Sequence, residues 1–241
     1  MGLDGKRVVV VGGTSGIGFG VARAALAAGA SEVVVASRSR ERVAAAVARL
    51  EAPGRARGIA TDATVEGDVA ALFAAVGEVD HVVMTCAELR WQPIAELAVD
   101  DAMATLRSKL LAGLLLAKHG APRLRAGGSL TLTTGVATDR PNAGGALVSL
   151  CNGGLEGLAR QLAVELAPIR VNALSPGIVD TELWDGIAGD EKAARLAGIG
   201  GRMLARRVGS PDDLARAALF LMESGFVTGE TLHVDGGYRL V

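Results

Sequence analysis

The chain predicts a doubly wound α/β sheet of about seven parallel strands, with helices on both faces. Three observations carry that expectation. Apolar runs of strand length recur from end to end without polar alternation, as strands buried on both faces require. Alanine-rich stretches of helical length separate them, which gives repeated β-α-β order and right-handed crossovers. A glycine-rich turn joins the first strand to the first helix.

Taken in order, residues 7–11 read as the first strand and 17–28 as the helix that follows. Residues 32–36 form the second strand, before a helix over 39–50. Strands at 56–60 and 79–84 precede a long helix over 100–118. A strand at 129–133, a helix over 146–166 and a strand at 170–174 come next. The last helix, 211–222, starts with strong signals: Ser210 can cap it, Pro211 suits its first position, and acids fill the first turn. A strand at 230–234 closes the chain. The longest stretch without a clear strand, 177–208, falls where such folds carry a mobile lid. No repeat or linker interrupts the pattern, so residues 1–241 read as a single domain.

Composition removes whole classes of function. The formal net charge of −1 gives no electrostatic case for nucleic acid or an acidic membrane surface. The longest apolar run, 110–117, is too short to cross a bilayer, and Lys109 and Lys118 bracket it. The first residues lack the layout of a signal peptide. Two cysteines, Cys86 and Cys151, cannot make a disulfide scaffold, so reduced thiols in the cytoplasm are expected. His81, His119 and His233 have no metal-site spacing.

The first βα turn reads Gly12-Gly13-Thr14-Ser15-Gly16-Ile17-Gly18. A pyrophosphate needs a tight turn, a backbone it can approach closely, and free N–H groups at a helix N-terminus. Glycine removes the Cβ that would block the approach. The second strand then ends in Ala36-Ser37-Arg38, with no carboxylate to accept from a ribose 2′-OH. Arg38 can meet a 2′-phosphate instead, which points to NADP(H).

With these motifs the chain resembles the compact short-chain dehydrogenases/reductases, a Rossmann-like family, from Gly5 to Tyr238. The resemblance rests also on Asp62 after the third strand, on Arg170-Val-Asn-Ala-Leu-Ser-Pro-Gly177 followed by Thr181, and on the closing segment 229–237. It implies that Asp62, with Ala63 beside it, meets adenine, and that Ala87, with Cys86 beside it, lies at the cofactor ribose. Pro176, Gly177, Ile178 and Thr181 would meet the nicotinamide end. It further implies a homodimer or homotetramer, with the helices at 100–118 and 146–166 pairing across an interface.

At the catalytic end the pattern departs from the family. The resemblance implies a serine that holds the carbonyl, a tyrosine three residues before a lysine, and an asparagine on the neighbouring helix. Alignment on Leu155-Glu-Gly-Leu-Ala-Arg160 puts Val148 at the tyrosine position and Asn152 at the lysine position. Valine has no proton to give, and the chain's one tyrosine, Tyr238, lies in the C-terminal tail. Thr134 stands at the serine position and keeps a hydroxyl, while Lys109 stands at the asparagine position. Only four lysines occur among 25 basic residues, and Lys109 opens an apolar helical run. Burial would lower its pKa and suit it to proton transfer. The other reading pairs it with a nearby carboxylate such as Glu88, or has it reach to solvent. Trp91 and Trp184 fall on loops that rim the expected cleft and suggest an apolar ligand, although rim packing explains them equally well.

Three functions follow from this contrast. The first is an atypical NADP(H)-dependent oxidoreductase for a small apolar carbonyl, alcohol or enone, with Thr134 placing oxygen and Lys109 or water handling the proton. The second is a catalytically silent, cofactor-binding structural or regulatory relative. The third is a non-redox cyclase, dehydratase or isomerase that reuses the pocket.

Overall fold

The computed structural model describes residues 2–241. Its strands are β1 (Arg7–Val11), β2 (Glu32–Ser37), β3 (Ala56–Ala60), β4 (Val79–Met84), β5 (Leu124–Thr133), β6 (Arg170–Pro176) and β7 (Thr231–Val234). They form one seven-stranded sheet in the order β3-β2-β1-β4-β5-β6-β7, and every neighbouring pair is parallel. The expected Rossmann-like fold is therefore the observed one.

Alternation along β1 divides the core into two layers, because successive side chains in a strand face opposite ways. Val9 and Val11 pack on one face with Phe73, Leu116 and Leu155. Val8 and Val10 pack on the other with Val21, Leu214 and Leu221. Those partners come from helices on both sides. The first face is covered by α3 (Glu66–Val76), α5 (Ala112–Gly120) and α6 (Ala146–Glu165), and the second by α1 (Gly16–Ala27) and α9 (Pro211–Glu223).

Three elements differ from the sequence reading. The strand expected at 129–133 begins at Leu124, and its pairing with β4 shifts register between Val79 and His81. Gly127, at φ +78°, supplies a backbone conformation that other residues rarely adopt. The helix expected over 100–118 is broken into α4 (Val99–Leu106), a π turn (Arg107–Leu111) and α5. Segment 177–208 carries two helices, α7 (Leu183–Ala188) and α8 (Lys192–Gly200). A helix α2 (Arg40–Arg49) completes the set, capped by the Ser39 side chain.

The start of α9 matches its sequence signals. Ser210 accepts from the Asp213 N–H, and the Asp213 carboxylate accepts from the Ser210 N–H at 2.8 Å, which closes a capping box. The Arg207 guanidinium beside Asp213 holds its carboxyl well below the usual carboxylate range. The stability from that depressed pKa is complete above the ordinary carboxylate range and is lost as pH falls through the folded value. Ser210→Ala should cost about 1 kcal/mol in a thermal or denaturant melt. An unchanged melt would show that Asp213 and Arg207 hold the helix end without the serine.

No helix among residues 2–241 is long and apolar enough to cross a membrane.

Candidate functional site

The strand order reverses direction between β1 and β4, and the crevice beyond their C-terminal ends is where such sheets bind ligands. A cleft of about 710 Å³ opens there. Its floor is the turn after β1, and its glycines are required by contact. A Cβ on Gly12, which holds φ +89°, would fall 2.6 Å from the Cys86 nitrogen. One on Gly18 would collide with the Gly12 carbonyl and the Thr85 hydroxyl. That closeness brings the end of β1, the turn and the start of α1 together at the floor of the cleft. Ser15 makes no side-chain cap there, and no acid lies in the first turn. The Gly16 N–H donates instead to the Glu182 carboxylate at 2.9 Å.

Most of the residues expected at the cofactor do line this cleft: Gly12, Thr14, Ser15, Gly16, Ile17 and Gly18 in the turn. Ser37, Arg38, Ala63, Cys86, Ala87 and Thr181 line it as well. Asp62 sits between the lining residues Thr61 and Ala63, and its carboxylate accepts from the Thr64 N–H at 2.9 Å and the Thr64 hydroxyl at 2.7 Å. Thr61 and Thr64 line the cleft as well. Pro176 ends β6 and Gly177 and Ile178 follow it, with the Gly177 N–H donating to the Val234 carbonyl; these three do not line the cleft. Sequence reasoning did not single out Thr85, Ser108 or Glu182 as lining residues.

Arg38 emerges at the end of β2, and its guanidinium meets Glu88 at 3.4 Å. Glu88 also pairs with Arg90 at 3.3 Å. Its backbone is fixed from the π turn, since the Glu88 N–H donates to the Ser108 hydroxyl at 2.9 Å.

The second group of candidate residues lies under the cleft and is closed to solvent. Lys109, on the π turn, is 2% exposed. It neither reaches water nor pairs with Glu88. Its ammonium donates to the Thr134 carbonyl at 3.1 Å and to Asn152 Oδ1. Asn152 is fixed in turn, because its Nδ2 donates to the Gly135 carbonyl at 2.9 Å. No carboxylate among residues 2–241 lies within ion-pair distance of Lys109, and burial pulls its pKa down to about 8. The Thr134 hydroxyl is turned toward the Leu174 carbonyl at 3.4 Å. Val148 is buried on α6, the helix that carries Asn152.

Burial shifts three other groups away from their ordinary ranges. Burial pushes the Cys86 thiol up to about 11 and raises that of Cys151. His81 is held down to about 4 by burial and meets the Ser129 hydroxyl at 2.9 Å. No group of His, Cys, Asp and Glu side chains among residues 2–241 could hold a metal ion. Tyr238 lies in the tail, where Arg140 covers its ring at 4.2 Å and donates to its carbonyl at 2.7 Å.

Comparison with known proteins agrees with this geometry. A family model described as enoyl-(acyl carrier protein) reductase matches residues 11–239. A short-chain dehydrogenase/reductase of Acremonium, ucsE, is 38% identical, over 98% of this chain and 96% of its own. The structure of MalC reductase/Diels-Alderase from Malbranchea aurantiaca superposes with a TM-score of 0.92 at 30% identity, covering 99% of this chain and 98% of that one. A small-chain dehydrogenase in complex with NADPH superposes with a TM-score of 0.83 at 30% identity, covering 99% of this chain and all of the other. Its sheet, its glycine turn and these full-length matches place the chain in the short-chain dehydrogenase/reductase family, a family of oxidoreductases.

Proposed function

We propose that the protein is an NADP(H)-dependent oxidoreductase with a non-standard acid–base set, acting on a small, largely apolar carbonyl, alcohol or enone. One observation carries the cofactor reading. Arg38 stands at the mouth of a cleft whose floor is a glycine turn too tight for any Cβ at Gly12 or Gly18. Those residues fit a dinucleotide: a helix start without a side-chain cap for its pyrophosphate and a guanidinium for a 2′-phosphate. The structural neighbour with bound NADPH supports the same choice.

A bound nicotinamide would give or take the hydride, and the chain supplies the rest. Two of the three N–H bonds of the Lys109 ammonium are used by Thr134 and Asn152; the third is left for a water that relays the proton to the reacting oxygen, since the buried ammonium lines neither cavity itself. At a pKa of about 8 the group is mostly protonated at neutral pH yet gives up its proton far more readily than an ordinary lysine. A second concavity of about 520 Å³, lined by Ile94, Ala137, Pro141, Ala146 and Leu150 among others, supports a small apolar substrate. Cytoplasmic location and a homodimer or homotetramer remain part of this reading.

A non-redox reading has its own support. Buried Val148 offers no acid at the family's tyrosine position, and the neighbour MalC is a reductase/Diels-Alderase. Product formed without a change in cofactor redox state would favour it. Tight NADPH binding with no turnover of any kind would favour a silent structural relative.

Titration with both cofactors tests the primary reading. NADPH should bind more tightly than NADH by about 1.5–3 kcal/mol, the range for a hydrogen bond to a charged group. Arg38→Ala should erase most of that difference. Equal affinities in the unmodified protein would refute the NADP(H) assignment.

A further inference from the structure

We propose that Glu88 and Glu182 are specificity- and affinity-determining residues, each holding a carboxylate in the seat of one anionic group of the cofactor. The inference rests on the dinucleotide reading above and goes beyond it. Glu182 immediately precedes α7, 166 residues along the chain from Gly16, yet its Oε2 accepts from the Gly16 N–H at 2.9 Å. That N–H belongs to the first residue of a helix with no side-chain cap and no acid of its own. A helix start of this kind draws an anion, and here the chain supplies one itself. Glu88 does the same at the end of β2, 3.4 Å from the Arg38 guanidinium. Both glutamates line the one cleft, together with the glycine turn and Arg38.

A pyrophosphate and the Glu182 carboxylate cannot both take the Gly16 N–H. A 2′-phosphate and the Glu88 carboxylate likewise compete for one side of Arg38. Each contact is solvent-exposed: the Arg38 and Glu88 side chains are 68% and 38% exposed. Such pairs are weak and exchangeable, so the glutamates lower cofactor affinity without blocking the cleft. The two carry different signatures. Glu88 acts on a phosphate that only NADP(H) has, so it narrows the preference for NADP(H) over NAD(H). Glu182 acts on the pyrophosphate that both cofactors share, and so it weakens both alike.

Fluorescence or calorimetric titration of the full chain at low ionic strength separates these effects. Glu88→Gln should tighten NADPH about fivefold, the factor that about 1 kcal/mol gives, and leave NADH unchanged. Glu182→Gln and Glu182→Ala should tighten both by a similar factor. Added salt should shrink both gains. NADPH binding that is unchanged or weaker in Glu88→Gln, or a gain shared equally with NADH, overturns the role of Glu88. NADH binding that is unchanged or weaker in both Glu182 variants overturns the role of Glu182. Failure of the NADP(H) reading shows separately, as no NADPH preference in the native chain and no effect of Arg38→Ala. That result removes the role of Glu88 and leaves Glu182 to be judged on NADH.

Discussion

Lys109→Met is expected to yield a folded, NADPH-binding protein whose turnover is lower by at least the ~10²-fold of a lost acid–base group. Methionine keeps most of the length and helix propensity and deletes the charge. Two effects on stability oppose each other. Removing a buried ammonium that has no carboxylate partner relieves a desolvation cost, while the Thr134 carbonyl and Asn152 Oδ1 lose a donor. The melt at neutral pH should therefore change little. Its pH dependence should change more. Burial lowers Lys109 from 10.5 to about 8, so between those values the unfolded chain holds a proton that the folded one has released. Native stability rises with pH across that window, and the variant should lack this contribution. Turnover that needs the ammonium as acid should fall above a pH of about 8. Thermal melts across pH beside single-turnover kinetics separate these effects. Unchanged turnover per folded molecule would remove Lys109 from the mechanism.

What the sequence made legible was local. Four consecutive valines followed by a glycine turn announce β1 and the cradle, and Ser210-Pro-Asp-Asp213 announces the start of α9. Each of those patterns acts over a few residues, where propensity and capping dominate. Contacts that define the site span the chain and left no such trace. Lys109 meets Asn152 across 43 residues, and Glu182 meets Gly16 across 166. The π turn that carries Lys109 and Ser108 was likewise invisible, since one extra residue in a helical turn barely alters an apolar run. Sequence alone allows Glu88 as a partner for Lys109. The structure turns it outward to Arg38 and Arg90 because its backbone is tied to Ser108, and Lys109 faces inward to α6. Sequence distance gave the neighbourhood, and the tether decided the partner.

The same contact changes how the family's acid–base pair should be rebuilt. Alignment alone suggests Val148→Tyr with Asn152→Lys. Because the Lys109 ammonium already bonds to Asn152, a lysine at position 152 would put two ammonium groups into one buried space. Glu156, one turn further along α6, can face one of them at most, so one ammonium would have to release its proton or leave the interior. That double variant should lose about 3–5 kcal/mol, the scale of an uncompensated buried charge, with a further ~1–3 kcal/mol for forcing an aromatic ring where Val148 is 2% exposed. Adding Lys109→Asn exchanges the amide and the ammonium between the two helices and restores a single charge with a single amide beside it. The triple variant should recover most of the stability lost to charge and keep NADPH binding. It should also gain or raise NADPH-dependent reduction of simple carbonyls, since the new tyrosine would have a lysine to lower its pKa. Chemical denaturation and loss of NADPH absorbance on adding a carbonyl measure the two outcomes. A double variant as stable as the native chain would mean that Lys109 and Asn152 do not share one space. A triple variant that folds and binds NADPH yet reduces no carbonyl would show that position 148 does not face the nicotinamide.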